Sequence, residues 1–323
     1  MKILQVTAPR EFQILDVPIP QPGPGQVLLR IEGVTTCPQW DLHLRHNEPM
    51  FVGHHFDYPY MMGQPGHEAT GVIEAVGPGV TEVRPGDRVS AWRDPGHTVP
   101  GCYAQFVVHK VENVIRVPAH LPVEATAPVE LSMCVGTVFR MLRDMGVLQG
   151  RTVGINGLGP AGLVALQMAR AEGAREVFGF DPLADRRELA ERLGATATFD
   201  PKTDLSAEFP VRPQAPRLET AVDCVGLKAT VEFLMDRTSD VVALFGVQRE
   251  DYTFAVRHYS LRLCGYKGHW RESAEYAVGL ITAGKLDLAP LVSYNLPLER
   301  YGEGIDLLEA RRAIKICYRP WES

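Results

Sequence analysis

No apolar run in the 323 residues reaches the roughly 18 needed to cross a bilayer, so no membrane-spanning helix is expected. Cysteine is scarce. The six residues at positions 37, 102, 134, 224, 264 and 317 are too scattered for a disulfide framework. That usage fits a reducing cytoplasm, where a cysteine serves as a small core residue or a metal ligand. Positive charge is not in excess either. Lys and Arg total 33 against 39 Asp and Glu, a net charge of -6, which gives nucleic acid or an anionic membrane no reason to bind. The opening Met1-Lys2-Ile3-Leu4-Gln5 lacks the apolar run of a secretory leader, and the chain shows no repeat or low-complexity tract. What remains is an ordinary globular composition, long enough for two domains with separate cores.

The most informative stretch runs from Arg151 to Asp181. Thr152-Val153-Gly154-Ile155-Asn156 reads as a buried strand, and Gly157-Leu158-Gly159-Pro160-Ala161-Gly162 as a turn into a helix. Gly173 stops that helix, and a second strand, Glu176 to Phe180, ends on Asp181. G-x-G-x-x-G between strand and helix, with an acid at the next strand tip, is the pattern of a dinucleotide site. Gly157 permits the sharp turn, Gly159 the approach of a pyrophosphate, and Gly162 close packing of helix on strand. The helix N-terminus offers free N–H groups to the phosphates. Asp181 accepts hydrogen bonds from a ribose 2′-hydroxyl and repels a 2′-phosphate, favouring NAD over NADP. Arg186 and Arg187 keep the alternative open, since they can meet a 2′-phosphate or cover the first turn of a helix over 185–193.

The rest of the chain divides by pattern. Residues 1–120 read as short strands broken by Gly and Pro, an all-β module. From 121 to 285, helical runs (123–144, 160–172, 185–193, 228–237) alternate with apolar strands (153–156, 177–180, 220–224, 241–245, 261–264). That alternation marks a parallel sheet covered by helices, with ligands expected at strand C-terminal ends. The tail, 286–323, returns to strand-like runs such as 313–319. It is expected to fold back onto the first module and make it discontinuous.

Several motifs carry a resemblance. They are Val27-Leu28-Leu29-Arg30-Ile31, Gly66-His67-Glu68, Gly71–Gly79, Pro85-Gly86-Asp87-Arg88-Val89, the glycine turn, and Ala313-Ile314-Lys315-Ile316. With them, nearly the whole chain resembles the medium-chain, zinc-dependent alcohol/polyol dehydrogenase family. The resemblance implies a GroES-like all-β catalytic domain (1–120 with 286–323) and a Rossmann-type doubly wound NAD-binding domain (121–285). It implies one catalytic zinc held by Cys37, His67 and Glu130, with Cys134, one helical turn on, as the alternative third ligand. Three protein ligands leave one zinc position for a substrate oxygen. Glu68 resembles the family's acid beside the metal. A homodimer or homotetramer acting on a small alcohol, polyol or sugar-like molecule is also implied.

The chain departs from the family pattern in two places. Gln39 stands where the family has a hydroxyl residue, and a glutamine amide cannot relay protons as a hydroxyl does. Asp41 and His43 each sit one position late, as relay groups or as plain loop residues. The segment near 91–104, where a four-cysteine structural zinc would fall, has only Cys102, so no structural zinc is expected and Cys102 is read as core. The aromatic and His-rich segment 44–62 can wall a substrate pocket or simply pack as a loop. Two other readings stay open on the same fold: a zinc-free NADPH-dependent quinone or enone reductase, and a nucleotide-binding protein without turnover.

Overall fold

Gln26–Thr35 is apolar at most positions, which suits a strand with neighbours on both sides. In the computed structural model, which describes residues 1–51 and 53–322, it is the central strand of the first unit. It pairs antiparallel with Glu68–Val76, with Phe106–Lys110 and, through its last residues, with Lys315–Arg319. The sheet continues through Arg88–Ala91 to Val114–Arg116 on one side and Val292–Pro297 on the other. A hairpin of Lys2–Ala8 and Glu11–Asp16 lies apart from this sheet. The core is one cluster that includes Leu29, Ile31, Val34, Ala69, Val89, Tyr103, Ile316 and Tyr318, all fully buried.

The chain divides into two compact units, Met1–Leu131 with Asp287–Ser323, and Ser132–Leu286. The expected boundary at 120/121 therefore moves. Residues 121–131 stay with the first unit because Val123 and Ala127 pack on Cys317, and because Ser90 and Arg88 donate to the carbonyls of Thr126 and Leu121. The continuous helix expected over 123–144 is split as well. Val123–Ala125 is a single 3-10 turn and the α-helix is Val129–Asp144, since a residue before Pro128 is steered away from helical backbone. The first unit also holds two short helices that the strand-dominated reading passed over, Pro38–His46 and Tyr301–Glu309.

The second unit is a six-stranded parallel sheet. Its order is Ala197–Phe199, Glu176–Phe180, Thr152–Asn156, Leu218–Asp223, Thr238–Leu244, Arg262–Gly265. In chain order this is 3-2-1-4-5-6, the doubly wound arrangement, with its switch point between the strands ending at Asn156 and Asp223. Its strands are apolar runs because helices cover both faces. The helix Pro160–Ala171 is buried from Gly162 to Ala169. The helix Arg271–Thr282 was not foreseen among the helical runs.

His109, on the strand Phe106–Lys110, is 2% exposed, with Nε2 3.4 Å from Cys102 Sγ. Burial pulls its pKa down to about 4 from the ordinary 6.5, with Asp94 opposing. The folded protein thus keeps the ring neutral where the unfolded chain protonates it. The stability this supplies is whole above the unfolded value and is lost as pH falls through the folded one, on the order of 3 kcal/mol across the window. In thermal melts from pH 7 to pH 4, His109→Gln is expected to lose stability less steeply than wild type. Parallel slopes would rule the contribution out.

Candidate functional site

Strand register brings the first set of groups together. Cys37 follows the strand Gln26–Thr35 after a single residue, and His67 immediately precedes Glu68–Val76. These strands run antiparallel with Thr35 opposite Glu68, so residues 36–37 and 66–67 lie at the same end of the sheet. One donor atom each from Cys37, His67 and Glu68 lies within 4.8 Å of the others. Pro38, at the first helical position, starts the helix Pro38–His46 with Cys37 as N-cap. Glu130 sits in the first turn of Val129–Asp144, and its Oε2 is 3.8 Å from His67 Nε2.

The hydrogen bonds sort these groups by role. His67 Nδ1 donates to the Pro65 carbonyl at 2.8 Å, which leaves Nε2 as the basic nitrogen. His67 is buried, which acts to lower its pKa; a hydrogen bond to Cys37 and the charges of Glu130, Cys37 and Asp94 hold it well above the usual range instead. Glu68 is committed. Lys315 Nζ donates to its Oε1 at 2.7 Å and Oε2 at 2.6 Å, and Thr35 Oγ1 donates to Oε2 at 2.9 Å. Burial pushes the Glu68 carboxyl up against the pull of Lys315. With both its oxygens held, Glu68 braces the site, and Cys37, His67 and Glu130 are the donors that suit a zinc ion: thiolate, imidazole and carboxylate, two of them anionic.

The remaining sequence candidates are placed differently. Asp41 does not stand as a loop acid. It is fully buried on the helix, where it accepts hydrogen bonds from Tyr103 Oη, Tyr301 Oη and the Cys37 N–H. Burial raises its pKa to about 6, with the two tyrosine hydroxyls pulling the other way. His43 is 8% exposed, with Nδ1 at 3.0 Å from the Glu48 carbonyl and 3.2 Å from that of Pro49. Those partners revise the relay expectation for Asp41 and His43, because each atom named is already engaged in holding backbone or tyrosine. Cys102 is wholly buried. Cys134 accepts a hydrogen bond from Tyr266 Oη at 3.1 Å. Trp40, His54, Phe56, Tyr60 and His97 pack as one aromatic wall, with Trp40 and His97 centroids 3.8 Å apart. Val52, within the segment read as a wall or loop, lies outside the described residues.

Sequence reasoning missed Lys315, Tyr103 and Tyr301. A signal existed for one of them: Lys315 stands between Ile314 and Ile316 in an apolar run, and a lysine there must find an anion.

The second unit carries the glycine turn. Gly157 has φ +85°, and a Cβ there would meet Val225 Cγ2 at 2.5 Å. A Cβ on Gly162 would lie 1.8 Å from the Gly157 carbonyl oxygen. Gly159 is different: no protein atom lies within 4 Å of where its Cβ would be, so the space its missing side chain leaves is open. It is also the N-cap of Pro160–Ala171, whose start has no side-chain cap and no acid in its first turn. Uncapped N–H groups beside open space suit a phosphate. Leu158 N–H donates to Asp181 Oδ2 at 2.8 Å and Leu183 N–H to Oδ1 at 2.9 Å. Each oxygen keeps lone pairs for a ribose hydroxyl. Pro160 and Ala161 complete the turn. Arg186 is 7% exposed; burial lowers its pKa while Asp185 and Asp181 hold it up. Arg187 donates to the Asp181 carbonyl at 2.8 Å.

Comparison with known proteins gives the context. Residues 23–119 match the alcohol dehydrogenase GroES-like domain family, and residues 160–277 the zinc-binding dehydrogenase family. Sorbitol dehydrogenase of Homo sapiens is 27% identical over 351 aligned residues, covering 98% of this chain and 95% of its own. An alcohol dehydrogenase of Geobacillus stearothermophilus is 33% identical over 225 residues, 62% of this chain and 63% of its own. The crystal structure of galactitol-1-phosphate dehydrogenase from Escherichia coli superposes with a TM-score of 0.84 at 23% identity, covering 99% of this chain and all of that one, a likeness of fold.

Two substitutions test this construction. Lys315→Met strands the Glu68 carboxylate in the interior and is expected to lower unfolding stability by about 3–5 kcal/mol; adding Glu68→Gln should recover much of the loss in denaturant titrations. Gly162→Ala is expected to cost about 1–3 kcal/mol by overpacking and to abolish coenzyme binding. A wild-type midpoint for either single variant would refute the corresponding contact.

Proposed function

The chain belongs to the medium-chain zinc-dependent alcohol/polyol dehydrogenase family, and we propose that it oxidises a secondary alcohol of a polyol or sugar-like substrate with NAD. The observation that carries this reading is the donor set at one sheet end. Cys37 and His67 lie together there with Glu130 Oε2 3.8 Å from His67 Nε2, while the neighbouring Glu68 is neutralised by Lys315. A zinc ion held by these three residues would supply a Lewis acid that lowers the pKa of the substrate hydroxyl. Bound nicotinamide would supply the hydride acceptor.

The chain's own residues do the rest. Cys37 and Glu130 would place two negative charges against a divalent cation, which offsets the cost of holding that cation in a buried site. The Pro65 carbonyl fixes the tautomer and ring angle of His67. Lys315 neutralises Glu68 by donating to both its oxygens. In the second unit, the open space at Gly159 and the uncapped helix start take the pyrophosphate, and Asp181 takes the ribose hydroxyls. Preference for NAD over NADP is supported by the carboxylate of Asp181 at the strand tip and by Arg187, whose Nη1 donates to the Asp181 carbonyl. A polyol or sugar-like substrate is supported by the carboxylate at position 130 and by the sorbitol dehydrogenase relative.

Three measurements test the reading. Purified protein should carry about one zinc per chain, and Cys37→Ala and Glu130→Ala should each lose it while NAD still binds; a metal-free active enzyme points to the quinone or enone reductase reading instead. Asp181→Ala should weaken NAD binding by about 1.5–3 kcal/mol through loss of charge-assisted hydrogen bonds. On zinc-loaded protein, a panel of polyols, sugars and simple alcohols should yield NADH with polyhydroxylated secondary alcohols. Reduction of NAD by simple primary alcohols alone would remove the polyol assignment.

A further inference from the structure

Asp41 is a buried carboxylate without a cation. Its oxygens make no ion pair with Lys, Arg or His among the described residues, yet it is 0% exposed. Desolvating such a group is costly, and the hydrogen bonds of two tyrosines lead the offset here, ahead of the charge of His67 and the Cys37 N–H. Tyr103 Oη donates to Oδ1 and Oδ2, each at 2.9 Å, and Tyr301 Oη donates to Oδ1 at 2.9 Å. The fourth bond comes from the Cys37 N–H to Oδ2, again at 2.9 Å. The three donors come from three separate parts of the chain: the segment before Phe106–Lys110, the first residue of Tyr301–Glu309, and the N-cap of Pro38–His46.

The tyrosines are themselves fixed. The rings of Tyr103, Tyr301 and Tyr318 lie 5.3–5.5 Å apart, and Tyr318 Oη donates to the Tyr301 carbonyl at 2.8 Å. Gly304 is needed beside them, because a Cβ there would meet Tyr318 Oη at 2.1 Å. The Tyr103 segment also reaches the other proposed ligand. Tyr103 N–H donates to the Gly63 carbonyl at 3.0 Å and Cys102 N–H to that of Gly66 at 2.7 Å, bracing the residues that lead into His67.

We propose that Tyr103 and Tyr301 are positioning residues that act through Asp41 to fix the Cys37 thiolate for metal binding, with Tyr103 bracing Cys37 and His67 at once. This rests on the metal reading above. Without the two hydroxyls the carboxylate is under-satisfied and no longer pinned, and the Cys37 backbone loses its tether to the core. Partners of this kind tune metal affinity by about 10- to 100-fold.

The test uses the full-length protein loaded with cobalt(II), whose thiolate charge-transfer band reports the Cys37–metal bond. Wild type should show the band and Cys37→Ser should lose it. Tyr103→Phe and Tyr301→Phe should keep the circular dichroism spectrum and NAD affinity of wild type. Each should bind cobalt more weakly in chelator competition, by about 10-fold or more, with a shifted band, and the double variant more weakly still. Asp41→Asn, which keeps an acceptor for the Cys37 N–H, should bind cobalt more tightly than Asp41→Ala. A double tyrosine variant with wild-type affinity and an unchanged band overturns the proposal. If that variant does not fold, equal affinities of Asp41→Asn and Asp41→Ala overturn it. A wild type without the band fails differently, since it removes Cys37 as a ligand and the metal reading with it.

Discussion

The ion pair between Lys315 and Glu68 is the constraint on which the first unit turns. Both side chains are 1% exposed, so neither charge is tolerable without the other. Lys315 also donates to the Thr36 carbonyl at 2.6 Å, so one ammonium group ties the C-terminal strand to the residue before Cys37 and to the residue after His67. The C-terminal segment cannot leave without stranding a carboxylate beside the proposed ligands. This explains physically why a module built mostly from residues before 131 takes its last strands from beyond 286.

The charge balance around that pair supports a metal. Cys37, Asp41, Glu68 and Glu130 offer four groups that become negative, and Lys315 answers one of them. Desolvation opposes a proton on His67, yet a hydrogen bond to Cys37 and the charges of Glu130, Cys37 and Asp94 raise its pKa. A divalent cation on His67 Nε2 would take the place of that proton and balance Cys37 and Glu130, leaving Asp41 to its tyrosine hydroxyls. In the second unit the logic is that of dipoles. A helix start that no side chain caps among the described residues presents partial positive charge beside an open glycine, and Asp181 stands at the tip of the adjacent strand.

Legibility followed sequence distance. The nucleotide turn was readable because its parts are contiguous: strand, glycines, helix and acid fall within residues 152–181, and each glycine answers a local need. The alternation of helix and strand exposed the parallel sheet for the same reason. Around Cys37 the reading was weaker. Gln39, Asp41 and His43 looked displaced in a loop, but Pro38 starts a helix there, and helical geometry turns Asp41 back onto the Cys37 N–H. Pro128 likewise cut a helix whose apolar pattern runs on through it.

By itself the sequence determined a doubly wound unit with a glycine turn, a strand-rich unit before it, and the residue types able to hold a metal, since these follow from local propensity, periodicity and motif chemistry. The tertiary structure alone decided which groups are free to act. Glu68 and Asp41 are acids in the right neighbourhood, yet Lys315, Tyr103 and Tyr301 claim their oxygens from as far as 260 residues away. A carboxylate's availability depends on the donors that fold against it, and those are chosen by strand pairing between distant segments, which no local pattern in the chain encodes.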